Sequence, residues 1–291
     1  MKSLDTLVGD IYNVIRQRGG WTQLLSDELG RDVAELATHR FIERDTDRTD
    51  LRMSMLGLKC DRRKWYTINE PRIGDDLSGS LRLKFFYGDM IEALIIRLIE
   101  ASGHTVTGKQ DELILNGVVG HRDVVVDGTI LDVKSCSPFS FQKFKNHKLE
   151  EDDPFGYLSQ ISSYLAASAD DPLVTDKNRA GFVAIDKVSG EITLDLYSFD
   201  AVRLAYKEIE VESVKTLVNG PIPSERLEPV PQRKDNPDGN LKLCVDCQWC
   251  DYKKSCWPEM RTYLYSNGPE YLVRVVDEPR VPEAKEDIPL F

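Results

Sequence analysis

Apolar positions along this chain change period several times, and each change predicts an element. Residues 1 to about 50 are patterned as helix, with few turn signals after Gly19-Gly20. A second helix is predicted from about Arg82 to Ala101, closing at Gly103, where a glycine suits the C-terminal cap. Asp111 to Ser135 alternates as strands do. Asp152-Asp153-Pro154 offers a capping carboxylate and a first-turn proline, which predicts a helix start there. That helix carries Tyr157, Ile161 and Leu165 on one face. Gly181 to Asp186 and Glu191 to Leu196 read as two strands around Ser189-Gly190, and residues 200 to 218 as helix. Pro221 to Gly239 is a loop by its proline, charge and asparagine content. From residue 267 onward the pattern is acidic, proline-containing and extended. There is no internal repeat.

Asp127-Gly128 suits the centre of a tight hairpin turn, where positive φ is needed. If these two residues fill it, Val126 faces Thr129 and Asp123 sits opposite Asp132. His121 then falls opposite Lys134. Alternation puts His121, Asp123, Asp132 and Lys134 on one face, and Val124, Val126, Leu131 and Val133 on the other. Opposed carboxylates would have Cβ atoms roughly 5 Å apart and would repel. A hard divalent cation such as Mg²⁺ removes that repulsion. The alternative is a hairpin with a merely solvated polar face.

The chain has 291 residues, 41% of them hydrophobic, enough for one large domain or a domain with appendages. No apolar run approaches the roughly 20 residues of a membrane span, and the first residues lack a signal peptide's apolar core. These features predict a cytoplasmic protein with reduced thiols, so the six cysteines read as metal ligands and free thiols. A net charge of −11 argues against nucleic-acid binding taken over the whole surface. Two basic clusters oppose that average: Lys59, Arg62, Arg63 and Lys64, and Lys143, Lys145, His147 and Lys148.

The cysteines divide into one and a group. Cys60 stands alone before Asp61-Arg62-Arg63-Lys64-Trp65, and Cys247, Cys250 and Cys256 follow with C-x2-C-x5-C spacing. Four thiolates can hold a tetrahedral zinc or an iron–sulfur cluster, and either would tie the end of the fold to its beginning. Cys244, three residues before Cys247, could replace it as a ligand. Cys136 reads as a small buried residue.

Glu92 lies on a helix that is apolar nearly all round, among Ile95, Ile96 and Ile99. A carboxylate so desolvated needs a partner, either a metal or a salt bridge. Gln160 and Tyr164 lie one turn apart on a helix face and can point together at a neighbouring site.

Together these motifs resemble the RecB-like branch of the PD-(D/E)XK nucleases, in particular the CRISPR-associated and phage exonucleases that carry an iron–sulfur cluster. The resemblance spans Met55 to Trp257. Gly120-x-x-Asp123 is similar to the family's metal-binding aspartate motif, Asp132-Val133-Lys134 to its D/E-x-K, and Gln160-x3-Tyr164 to its helix motif. Cys60 with the C-x2-C-x5-C group is similar to the cluster ligands in order and spacing. One departure is Glu92, four residues after Gly88, where many relatives have histidine.

The resemblance implies an α/β fold, with a restriction-endonuclease-like mixed sheet flanked by helices. It also implies a helical N-terminal region (1–50), a nuclease domain with its cysteine clamp (51–266) and an acidic extended tail (267–291). The implied activity is Mg²⁺- or Mn²⁺-dependent exonucleolytic hydrolysis of DNA, at single-stranded ends, in replication, recombination or spacer acquisition in a bacterial, archaeal or phage setting. Asp123, Asp132 and Glu92, with the Val133 carbonyl, would bind metal. Lys134 would assist the chemistry, and Gln160 and Tyr164 would fix DNA or the lysine. Cys60, Cys247, Cys250 and Cys256 would hold a [4Fe-4S] cluster, with zinc as the alternative. Arg62, Arg63, His121, Lys143 and Lys145 would contact DNA. Relatives form rings or act with partners, which implies a homo-oligomer as one arrangement. The ending Glu286-Asp287-Ile288-Pro289-Leu290-Phe291 is similar to peptides that dock into bacterial sliding clamps. The competing readings are a non-catalytic DNA-binding or assembly module of the same fold, and an unrelated zinc-clamped protein.

Overall fold

In a computed structural model of the chain, the structure describes residues 2–17, 20–43, 50–70 and 79–284. The proposed sliding-clamp peptide lies outside the described residues. A short 3-10 turn at Leu4–Thr6 leads into α1 (Leu7–Gln17) and α2 (Gln23–Phe41), and α3 (Met53–Leu56), α4 (Asp61–Asn69) and α5 (Gly79–Ala101) follow. The strands β1 (Val106–Thr107), β2 (Glu112–Leu115), β3 (Val118–His121), β4 (Val124–Val126) and β5 (Thr129–Cys136) come next. Then come α6 (Pro138–Lys145), α7 (Tyr157–Ala167), β6 (Arg179–Asp186), β7 (Ile192–Ser198) and α8 (Ala201–Asn219).

The central sheet has five strands in the order β1-β4-β5-β6-β7. It is mixed: β5 and β6 are parallel, and the other pairs antiparallel. The parallel pair requires a crossover, and α6 and α7 supply it. Alternation along β5 divides the core. Leu131 and Val133, with Val124 and Val126, pack against Leu7 and Ile11 of α1 and Ile95 and Ile99 of α5. Ile130 and Cys136, with Val125, pack against Phe141 and Phe144 of α6, Ile161 and Leu165 of α7, and Val211 and Val214 of α8. The fold is therefore α/β, a mixed sheet with helices on both faces. The N-terminal helix α1 is part of this core, since Leu7 and Ile11 have no exposed surface.

The hairpin turn forms as the sequence predicts, with Asp127 at φ 47° and Gly128 at φ 83°. Its register also holds: Val126 pairs with Thr129, Val125 with Ile130 and Val124 with Leu131. His121 departs from the prediction. The chain bends at Arg122-Asp123, so His121 belongs to β3 and pairs with Glu112 of a separate two-stranded sheet. The side chain of Arg122 fixes the bend, only 1% exposed and ion-paired with Asp111 and Asp171 at 2.6 and 2.5 Å.

The start of α7 also differs from the prediction. The helix begins at Tyr157, beyond Pro154, because Gly156 sits in the left-handed region at φ 71°. A Cβ on Gly156 would collide with the Gly57 backbone, so only glycine permits this approach. Asp153 still caps the helix from a distance, accepting from Tyr157 N at 3.0 Å and Leu158 N at 2.9 Å.

A second lobe follows: β8 (Val230–Pro231), β9 (Leu241–Lys242), α9 (Val245–Gln248), α10 (Lys253–Cys256), β10 (Arg261–Tyr265) and β11 (Gly268–Arg274). Its sheet runs β10-β11-β9-β8. Residues after 267 are therefore not simply an extended tail. Strand β11 pairs with both β10 and β9, and its Leu272 is buried. Its small core joins Tyr66 of α4 to Leu243, Tyr252 and Trp257, with the Tyr66 and Tyr252 rings stacked at 5.3 Å. No helix among the described residues is long and apolar enough to cross a membrane.

Candidate active site

Two acidic residues, Asp123 and Asp132, lie where β4 begins. Asp123 lies one residue before the first paired residue of β4, and its Oδ2 accepts the Val133 amide at 2.8 Å. Asp132 is 2% exposed on β5. Lys134, two residues on and on the same face, brings its Nζ to 2.5 Å from Asp132 Oδ2. Glu92 approaches from α5, whose Gly88 lies against the Ser135 hydroxyl. Gln110 bridges the group: its side chain donates to Glu92 Oε1 at 2.5 Å and its backbone amide to Asp123 O at 3.1 Å.

The electrostatics follow from burying three carboxylates beside one lysine. Desolvation, then the charge of Asp132, pushes the Glu92 carboxyl up to about 7. Desolvation likewise raises Asp123 well above the ordinary carboxyl range, with Asp132 and Glu92 adding to it. Burial alone would lower Lys134, but Asp132 and Asp123 outweigh that and hold it above its usual value. Asp132 Oδ2 lies in reach of Lys134 Nζ, yet no donor meets it in hydrogen-bonding geometry. A buried carboxylate oxygen so placed lacks a full complement of partners.

The helix motif closes the site from α7. Gln160 Nε2 donates to Tyr164 OH at 2.6 Å. Burial lifts the Tyr164 phenol to about 12, and the nearby charges of Asp132 and Asp123 act on it too. Tyr164 also explains the glycine of Gly120-x-x-Asp123. A Cβ at Gly120 would stand 2.7 Å from Tyr164 Cε1 and 2.8 Å from Met53 Sδ. The helix motif and the aspartate motif are thus packed on one another.

Sequence reasoning missed two residues here. Tyr157 places its ring 4.9 Å from Lys134 Nζ, and its position one turn before Gln160 and Ile161 on α7 was a readable signal. Gln110 gave none, because its role depends on a left-handed φ of 54° in the β1–β2 connection.

Among the residues predicted to contact DNA, Arg62 is the one that the fold buries. Arg62 is buried, donating to Pro223 O at 2.6 Å and Tyr66 OH at 3.1 Å. It therefore braces the cysteine lobe, because a guanidinium buried inside the protein presents no open face to phosphate. Arg63 is half-buried on α4, beside Cys250. Lys143 pairs with Asp152 at 2.6 Å and Lys145 with Glu191 at 2.5 Å. His121, turned away by the bend, stands 3.8 Å from Glu112.

Cys60, Cys247, Cys250 and Cys256 line one cavity of about 20 Å³, together with Arg63 and Pro154. Desolvation raises the thiols of Cys60, Cys247 and Cys250. Cys60 is the N-cap residue of α4, where the backbone amides of Arg63 and Arg62 partly oppose the effect of burial on its thiol. Cys244 is outside that cavity lining but touches Cys247. Cys136 is buried in the main core, as the sequence predicts. Among the described residues, no three His, Cys, Asp or Glu side chains already stand in an arrangement that could hold a metal ion.

No family model matches the chain, and no curated protein does either. Solved structures with some likeness include SSO0001, at a TM-score of 0.39 and 14% identity over 80% of this chain and 95% of that one. They also include an alkaline exonuclease, LHK-Exo from Laribacter hongkongensis, at 0.36 and 14% over 64% and 92%. LHK-Exo in complex with dAMP gives 0.33 and 16% over 57% and 91%. Overlays this loose carry no argument about activity.

Proposed function

We propose that this chain is a divalent-metal-dependent nuclease that hydrolyses DNA phosphodiester bonds at strand ends. One observation carries the reading: Glu92, Asp123 and Asp132 act on one another electrostatically beside Lys134, with Asp132 buried against the Lys134 ammonium. Burial and crowding raise Glu92 and Asp123 so that they hold protons, which a hard cation suited to oxygen donors would displace.

Glu92, Asp123 and Asp132 would hold Mg²⁺ or Mn²⁺, with the Val133 carbonyl as a further oxygen. The cation would supply Lewis acidity and lower the pKa of a coordinated water. Lys134, cationic throughout the physiological range, stabilises charge that develops on the phosphate oxygens. The Tyr157 ring and the Asp132 carboxylate keep its ammonium in place. The Gln160–Tyr164 pair supports the same wall of the site. Phe155, half exposed with its ring 5.5 Å from Tyr157, offers a stacking face to an unpaired base.

The cysteines form a second centre in this reading. Four soft donors from two distant segments line one cavity, which suits a thiophilic metal. The sequence resemblance favours a [4Fe-4S] cluster over zinc. Its role is structural, since hydrolysis transfers no electrons.

The test is release of nucleotides from end-labelled single- and double-stranded DNA, with Mg²⁺, Mn²⁺ or EDTA. Metal-dependent release from ends supports the reading. Intact DNA under every condition, from folded protein, would overturn it.

A further inference from the structure

Arg62, Arg97 and Arg122 are the buried arginines among the described residues, and Arg62 differs from the other two. Arg97 meets Glu28, Asp32 and Glu100, and Arg122 meets Asp111 and Asp171. Arg62, 9% exposed, has no carboxylate partner among the described residues. It donates to two neutral acceptors, Pro223 O and Tyr66 OH, and its Nε–H is left without one. Its buried neighbour Lys64, by contrast, has Asp61 at 3.0 Å. A buried cation without counter-charge is costly to the fold.

Trp257 presents a second unpaired donor. It is also 9% exposed, and its indole Nε1–H meets no acceptor among the described residues. An indole nitrogen can only donate. The Arg226 guanidinium lies over this ring, 4.6 Å from its centroid, and restrains it. Arg62 and Trp257 both line the cavity that Cys60, Cys247, Cys250 and Cys256 line. Tyr66 links the two sides, accepting from Arg62 and donating at 3.5 Å to the carbonyl of Ser255, the residue before Cys256. Buried donors left over in this way call for an acceptor. Metal-bound thiolates are such acceptors, because four of them outweigh the charge of a divalent ion.

We propose that Arg62 and Trp257 are positioning residues of the cysteine centre, donating hydrogen bonds from Nε and Nε1 to its sulfurs. The inference rests on the reading of the four cysteines as metal ligands. Arg62 also supplies the positive charge that a buried, anionic centre needs. Outer bonds of this kind orient the ligands and tune the metal they hold. The argument is the same for zinc and for a [4Fe-4S] cluster, since either places anionic sulfur in this cavity. It also gives Arg62 a partner other than phosphate.

The test uses the full-length chain, its metal exchanged for Co²⁺ under anaerobic, reducing conditions. The sulfur-to-cobalt charge-transfer band reports electron density on the thiolates and is independent of nuclease activity. Trp257→Phe keeps a buried ring and removes the N–H, and Arg62→Lys keeps the charge and removes the Nε–H. Each should move the band to lower energy, because a thiolate that loses a donor gives up its electron more readily. Each should also weaken Co²⁺ binding, on the order of 10–100-fold. Should the Arg62 variant fail to fold, Trp257→Phe decides alone. A parental band position in Trp257→Phe, whatever its affinity, would mean a packing role and overturn the proposal. A parent protein with no charge-transfer band would overturn the four-cysteine centre itself, and the proposal with it.

Discussion

The backbone amide of Val133 donates to Asp123 Oδ2 at 2.8 Å. This bond joins the two halves of the acidic site at the point where the β4–β5 ladder stops. Because the chain turns away at Arg122, β4 offers no backbone acceptor there, and the side chain of Asp123 takes that place. The carboxylate is therefore both a structural acceptor and a member of the charged cluster.

Those two roles can be separated. Asp123→Asn retains an acceptor for the Val133 amide and removes the charge, so it should fold normally and lose cleavage. Asp123→Ala leaves a buried amide unpaired and should cost about 1–3 kcal/mol in addition. Urea denaturation of both variants checks this. Equal stability of the two would show that the hydrogen bond contributes nothing.

Gly120→Ala tests the contact between the two motifs. Its Cβ would meet the Tyr164 ring and Met53 at 2.7 and 2.8 Å. Overpacking of this kind costs about 1–3 kcal/mol. A variant as stable as the parent would mean that Tyr164 does not stand where this account puts it.

Glu92 sets a pH dependence. Its carboxyl titrates near 4.5 when unperturbed and is pushed up to about 7 in the fold, first by desolvation and then by Asp132. A carboxyl raised on folding contributes stability at low pH, present below the unfolded value and lost as pH rises through about 7. Metal-free protein should therefore lose melting temperature relative to Glu92→Gln between about pH 5 and about pH 8. Mn²⁺ should restore it at the upper end. Parallel melting curves for the two proteins across that window would contradict the assignment.

The clamp makes its own prediction. Cys60→Ala and Cys256→Ala each remove a sulfur that joins α4 to the C-terminal lobe, so metal content and stability should fall together. Anaerobically purified protein should be brown, with iron and sulfide in equal amounts. Stoichiometric zinc without iron would assign the other metal to the same cysteines.

Much of this was legible in the sequence. Period-two alternation and the Asp127-Gly128 turn made the hairpin register readable, because a one-residue slip would turn Asp132 and Lys134 to the opposite, apolar face of the sheet. Helix α5 was readable from its apolar run and Gly103. Local pattern failed where a tertiary contact decides the outcome. The Gly57–Gly156 approach delays α7 beyond Pro154, and the buried Arg122 bends the chain and removes His121 from the hairpin. Arg62 illustrates a further limit, since a basic residue beside a cysteine looks the same in sequence whether it meets phosphate or braces the fold.

The most direct test of the account is single-turnover cleavage of end-labelled DNA in Mn²⁺ by the parent protein and by Asp132→Asn and Lys134→Ala, with DNA binding measured alongside. The account predicts that both variants bind DNA but cleave slower by at least about 10²–10³-fold, because charge at the reacting phosphate goes unstabilised. Cleavage at the parental rate by either variant would contradict it.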